Sequence, residues 1–222
     1  GLAFTVASAA AIYGLYTGAV YFLGLPGGWL ADRLFGGQKA VWYGGIIIMI
    51  GHIILAIPHD YSFFIGLIFV ATGTGLLKPN ISAMVGQLYS DADERRDGGY
   101  AIYYMGINMG SLIGYYVCGY FMENVGWHWA FGAAAVGMAI GLVQYKLTLN
   151  NLPKHSALPA NPLGSKGTSR AWGGIAAFVI AAAAVTTAAM TGAIVINPTV
   201  VAGYTAIVFT IINSILNINV IK

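Results

Sequence analysis

The chain has 222 residues, 58% hydrophobic and 8% charged, with ten Lys/Arg against seven Asp/Glu for a formal charge of +3. That is far too little polar surface to clothe a water-soluble globule, so the composition excludes one and indicates an integral membrane protein. A single cysteine, Cys118, lies in an apolar run, which excludes an internal disulfide and argues against a cysteine-based metal site.

Seven apolar stretches follow one another, at about 2–31, 38–57, 61–89, 98–122, 127–147, 171–193 and 199–221. Each is long enough to cross a hydrocarbon core of roughly 30 Å as a helix, and no ten-residue alternating strands compete. The expected class is therefore all-α, a polytopic transmembrane helix bundle. The chain opens abruptly at Gly1-Leu2-Ala3-Phe4, inside what already reads as a membrane helix and with no cleavable signal peptide. It reads as a fragment with its natural N-terminus missing.

The first stretch ends in Gly27-Gly28-Trp29-Leu30-Ala31-Asp32-Arg33, and a short loop leads to the second through Lys39. Here Asp32 is expected to accept from backbone amides and Arg33 to reach across the loop, while the glycines allow close helix packing. Eight of the ten cations fall on alternate connections: Arg33 and Lys39, Arg95 and Arg96, and Lys146, Lys154, Lys166 and Arg170. The rule that positive loops stay inside assigns loops 32–39, 90–97 and 148–170 to the cytoplasm, in a multi-pass plasma (inner) membrane protein. All five tryptophans fall near helix ends, as an interfacial belt requires.

The third stretch carries Gly73-Thr74-Gly75-Leu76-Leu77-Lys78-Pro79-Asn80 at its centre. A lysine near the bilayer midplane costs roughly 2.5–3.5 kcal/mol on insertion scales, which is tolerated where the charge faces a partner or a water-filled cavity. Pro79 frees the carbonyl of Gly75, and Gly73 and Gly75 let the backbone bend or approach a neighbour. In the fourth stretch Tyr104 and Asn108 are four apart and share a helix face, and Gly106, Gly110 and Gly114 form a small-residue ridge for another helix. Those polar groups either line a ligand cavity or, as an alternative, glue helices together.

His52, His59 and His128 read as structural, and His155 belongs to the linker. No nucleophile–base pair, metal-ligand cluster or phosphate loop is visible, so no catalytic activity, metal, cofactor or nucleic-acid partner is expected. From Thr148 to Ser169 the composition turns to Asn, Pro, Ser, Lys and Gly, which reads as a solvated linker. The domain reading is thus a bundle at 1–147, a cytoplasmic linker at 148–170 and a helix hairpin at 171–222.

Three motifs, occurring together and in order, resemble one family: the Gly27–Arg33 run, Gly75-Leu76-Leu77-Lys78-Pro79-Asn80-Ile81-Ser82, and Tyr103-Tyr104-Met105-Gly106-Ile107-Asn108-Met109-Gly110-Ser111-Leu112. They look like the proton-dependent oligopeptide transporters of the major facilitator superfamily. The resemblance covers about residues 10–147 and implies helices two to six of a partial N-terminal bundle, with the last hairpin similar to the extra helix pair of bacterial members. It further implies proton-coupled symport of di- and tripeptides by alternating access. Lys78 would serve in proton coupling and carboxylate attraction, and Tyr21, Tyr104 and Asn108 would contact the peptide. The family's Glu-x-x-Glu-Arg-Phe signature is absent, and Gly14 stands where mammalian members have a histidine, which favours a prokaryotic coupling scheme. The rival readings are another major facilitator carrier, for nitrate, a sugar or a drug, and a non-transporting membrane assembly subunit.

Overall fold

A computed structural model describes residues 5–90, 92–191 and 200–201. The described residues form helices and turns only. In chain order these are α1 (Val6–Phe22), α2 (Gly24–Leu30), a π-helical turn (Ala31–Phe35), α3 (Gly37–Leu55), α4 (Asp60–Gln87), α5 (Arg95–Asn124), α6 (Trp127–Thr148), two 3-10 turns (Leu149–Asn151 and Lys154–Ala157) and α7 (Ser165–Met190). Five segments among them are long and apolar enough to cross a membrane: Val6–Phe35, Gly37–Leu55, Asp60–Gln87, Trp127–Asn151 and Ser165–Ala188. At 30 residues α5 has the length as well, but Tyr100, Tyr103, Tyr104, Tyr115, Tyr116, Tyr120 and Asn108 dilute its apolar content. The expected seventh stretch, 199–221, lies almost entirely outside the described residues.

The centre of the bundle is the antiparallel pair α3–α4, and glycine makes it possible. A Cβ added to Gly44 would lie 2.8 Å from the Gly73 oxygen, and one added to Gly73 would lie 2.6 Å from the Gly44 oxygen. Seven residues along each helix, in opposite directions, Gly51 and Gly66 repeat the arrangement, at 3.0 and 2.9 Å from each other's oxygens. No side chain larger than hydrogen fits at these crossings, so the backbones approach closely enough for Cα–H to carbonyl contact. Around them Ile48, Leu55 and Val70 form a buried cluster, flanked by Leu77 and by Phe131 and Met138 of α6.

Helix ends are fixed by local chemistry. His59 caps α4, its Nδ1 accepting from the Tyr61 N–H at 3.3 Å, and the Ser62 hydroxyl donates to the carbonyls of Ile57 and His59. His128 Nδ1 lies 3.4 Å from the Leu55 carbonyl oxygen, tying α6 to the end of α3. At the opposite side Trp42 stacks on Tyr145 with Lys146 over its indole, an aromatic and cationic pairing of the kind found at a membrane–water boundary.

One expectation needs correction: the linker is not simply solvated. Its 3-10 turns fold back under the α2–α3 connection, and Ser156 is 3% exposed. Gln38 Nε2 donates to Ser156 Oγ at 2.9 Å and to the Pro153 carbonyl at 3.0 Å. The Asn161 and Leu163 N–H groups donate to the carbonyls of Asp32 and Arg33 at 2.9 and 3.3 Å. Gly36, at φ 82°, turns the chain directly against the Ala157 backbone, where a side chain would collide. The physical reason is the helix end: Asp32 and Arg33 are among the last four residues of the turn that stops at Phe35, so their carbonyls have no helical donor, and the linker's amides satisfy them.

Candidate functional site

Lys78 sits within an unbroken α4, one residue before Pro79. The two glycines before it do different jobs. Gly73 abuts Gly44 and Ile48 of α3, whereas Gly75 abuts Leu23, so α4 is wedged between α3 on one face and the α1–α2 joint on another. Lys78 follows Gly75 by three residues, which turns it to the α1 side. There its Nζ stands 4.4 Å from the centroid of the Tyr21 ring, a cation–π pairing between α4 and α1. The depth of the apolar run singles out Lys78 and the family resemblance implies Tyr21; the ring-over-ammonium contact comes from the fold.

The carbonyl that Pro79 leaves without its helical donor is Gly75's, and it points at Gly27, whose Cα hydrogens occupy the space where a Cβ would overlap it. One residue on from Pro79, Asn80 is buried at 5% exposure and donates from Nδ2 to the Gly27 carbonyl at 3.3 Å and to the Leu76 carbonyl at 2.6 Å. Asn80 was not singled out from sequence. The available signal was cost: an amide in an apolar run needs partners, and here they are backbone carbonyls on two helices. The motif at 75–82 therefore does two things: it welds α4 to α2 through Gly75 and Asn80 and presents Lys78 beside that weld.

Tyr104 and Asn108 lie on α5. Asn108 Nδ2 donates to the backbone carbonyl of Tyr104 at 2.9 Å, which leaves its amide oxygen as an acceptor with no protein donor among the described residues. Tyr104 stands 55% exposed, with its ring 5.4 Å from Tyr103's. Helices α4 and α5 run antiparallel and touch where the Tyr100 hydroxyl donates to the Ser82 carbonyl at 3.4 Å. One turn from that contact lies Lys78 on α4 and Tyr104 on α5, so the two share a level along the helix axes, with Asn108 one turn further. Lys78, Tyr21, Tyr104 and Asn108 all occupy open faces of the described chain.

The other expectations divide. The Gly106, Gly110 and Gly114 ridge has nothing within 4 Å of any added Cβ, so the packing anticipated there is not made among the described residues; α5 leans on α6 instead, as at Cys118 Sγ to the Ala130 carbonyl. Asp32 engages through its backbone carbonyl, and Arg33 reaches the Asn161 carbonyl at 3.4 Å, across to the linker. In the 90–97 loop Asp93 and Arg95 pair at 2.8 Å, and the hydrogen bonds from Arg95 hold the Asp93 carboxyl at about 2.

The profile of the POT family (PTR2) matches residues 38–167. "Uncharacterized transporter YclF" of Bacillus subtilis is 44% identical over 199 residues, covering 89% of this chain and 40% of that protein. A "Di-/tripeptide transporter" of Lactococcus lactis is 45% identical over 168 residues, covering 75% of this chain and 34% of that one. Two solved structures overlay it closely. One, of peptide transporter POT in complex with sulfate, gives a TM-score of 0.86 at 38% identity, covering 97% of this chain and 45% of that one. The other, of a POT family transporter in complex with a thioalcohol-conjugated peptide, gives 0.84 at 34% identity, covering 97% and 44%. The chain thus spans less than half the length of these relatives. The overlay bears out a bundle of the major facilitator type. Since the profile takes in over half of the residues, including the weld at Gly75–Asn80 and the face of Tyr104 and Asn108, the chain belongs to the POT family.

Proposed function

We propose that this chain forms helices two to six and the helix hairpin of a proton-coupled di- and tripeptide symporter working by alternating access. The observation that carries the reading is the Lys78 ammonium held over the Tyr21 ring. A peptide is a zwitterion with a backbone common to all sequences. Lys78 offers a cation for its carboxylate, while Tyr21, Tyr104 and the amide oxygen of Asn108 offer hydrogen bonds indifferent to side-chain identity. Proton coupling is assigned to Lys78, an ionisable group within a membrane-length helix and beside the proposed peptide contacts. The bundle at 1–147, the linker at 148–170 and the hairpin at 171–222 are taken as three units, with loops 32–39, 90–97 and 148–170 facing the cytoplasm of the plasma membrane.

Proton-driven uptake of a labelled dipeptide by the full-length protein in proteoliposomes tests this. Uptake should collapse in Lys78→Ala and be competed by unlabelled di- and tripeptides. Unchanged uptake in Lys78→Ala would remove Lys78 from the mechanism, and competition by sugars or nitrate but not by peptides would remove the peptide.

A further inference from the structure

We propose that the groove between α3 and α7 is a binding site for an anionic phospholipid. The groove encloses about 1130 Å³. One wall is α3 with the end of α2, the other is α7, and the floor is α4 at Thr72 and Leu76. Its chemistry is graded along its length. At the linker end stand Lys39 and Arg170, one from each wall, and the lining contains no acidic residue to neutralise them. Trp29, Tyr43 and Trp172 also line it, the indole of Trp172 meeting Phe35 edge-on at 5.7 Å. Below them the walls are aliphatic or aromatic, as at Ile47 and Phe178, and the one hydroxyl on the floor, Thr72, is turned back onto the Ile68 carbonyl at 2.8 Å.

The dimensions fit a lipid of one leaflet. From Lys39 to Ile47 on α3, and equally from Arg170 to Phe178 on α7, is eight residues, about 12 Å of helix rise, against a half-bilayer of roughly 15 Å. Both walls therefore place a cation at the height of a headgroup and apolar contacts at the depth of acyl chains, with aromatic rings between. A phosphate with no compensating charge of its own matches the two cations; a zwitterionic headgroup matches them less well. A second protein chain would need an acidic residue facing both cations while filling the rest with apolar side chains. The site is separate from Lys78 and stands whatever the transported solute is.

The test uses the full-length protein in detergent, titrated with phosphatidylglycerol, phosphatidylcholine or inorganic phosphate while its thermal midpoint and oligomeric state are read. Phosphatidylglycerol should raise the midpoint at concentrations where the other two do not. Lys39→Gln and Arg170→Gln should each raise the half-effect concentration about fivefold. Gly174 lines the groove and has nothing within 4 Å of an added Cβ, so Gly174→Phe fills the groove with both cations intact and should abolish the effect. All three positions lie on the outer surface of the described residues, so the variants should fold with an unchanged lipid-free midpoint. Equal protection by phosphatidylcholine would overturn the charge selectivity, and protection by phosphate alone would leave an anion site without a lipid. An undiminished phosphatidylglycerol effect in the Lys39→Gln/Arg170→Gln double variant or in Gly174→Phe would also refute the proposal. So would a dimer, insensitive to lipid, that Gly174→Phe breaks, since that assigns the groove to a second copy.

Discussion

Gly27 and Gly28 are neighbours in α2, yet a methyl group added to each should have opposite consequences. At Gly28 nothing lies within 4 Å of an added Cβ. Gly28→Ala should therefore gain the ordinary helix preference of alanine over glycine, about 0.5–1 kcal/mol. At Gly27 the same carbon would overlap the Gly75 oxygen and come within 2.7 Å of the Gly75 carbon and 2.9 Å of the Leu76 Cα. These are backbone atoms of α4 and cannot rotate away, so α2 must retreat, with an overpacking cost of about 1–3 kcal/mol. Retreat also stretches the Asn80 Nδ2 bond to the Gly27 carbonyl, already 3.3 Å long, and losing it costs about 1 kcal/mol more. Set against the same helix gain, Gly27→Ala should destabilise by about 1–3.5 kcal/mol. Thermal unfolding of the purified full-length variants, followed by fluorescence and by monodispersity after heating, compares the two directly. If Gly27→Ala proves as stable as Gly28→Ala, the close α2–α4 contact, and with it the account of why Lys78 is held where it is, is wrong.

Replacing Tyr21 separates its ring from its hydroxyl: Tyr21→Phe keeps the face under Lys78, whereas Tyr21→Leu loses a contact worth about 0.5–1 kcal/mol. Peptide uptake should show a KM raised about two- to fivefold in Tyr21→Leu and raised less in Tyr21→Phe. The Asp93 carboxyl, held at about 2 by Arg95 against an ordinary value of 3.8, adds stability that is fully present above that ordinary value and lost as pH falls through about 2. Asp93→Asn should therefore leave the pH profile of uptake between pH 5 and 8 unchanged, as measured in proteoliposomes. Gln38→Ala strands the buried Ser156 hydroxyl with only the Pro153 carbonyl as partner and should cost about 1–3 kcal/mol, seen as faster limited proteolysis within residues 148–163. Ser156→Ala, in which Gln38 keeps the Pro153 carbonyl, should be milder.

How far the sequence could be read depended on the kind of information each feature needs. The helix order and the charged loops follow from apolar length and cation placement, which are local properties, and Lys78 stood out because a charge in mid-membrane has no cheap explanation. Its contact with Tyr21 is not local, since the two residues are 57 apart in the chain. The linker misled because Pro, Asn and Ser look the same whether water or a neighbouring turn satisfies their backbone groups; the unpaired carbonyls at the helix end before Gly36, which Asn161 and Leu163 serve, lie more than 120 residues away in the chain. The α5 glycines meet no neighbour among the described residues, because small residues permit packing without naming the helix that makes it.

The paired glycines of α3 and α4 act like the teeth of a rack. Because Gly44 meets Gly73 and Gly51 meets Gly66, sliding one helix past the other by a single turn would drive Ile48 or Val70 into a space that admits only hydrogen. The next matching register is a full seven residues away, about 10 Å by helix rise, a larger step than the one-turn ratchets by which packed elements shift. These two helices must therefore travel as a single lever. The transport proposed above has to hinge at looser seams, such as the one between α4 and α5.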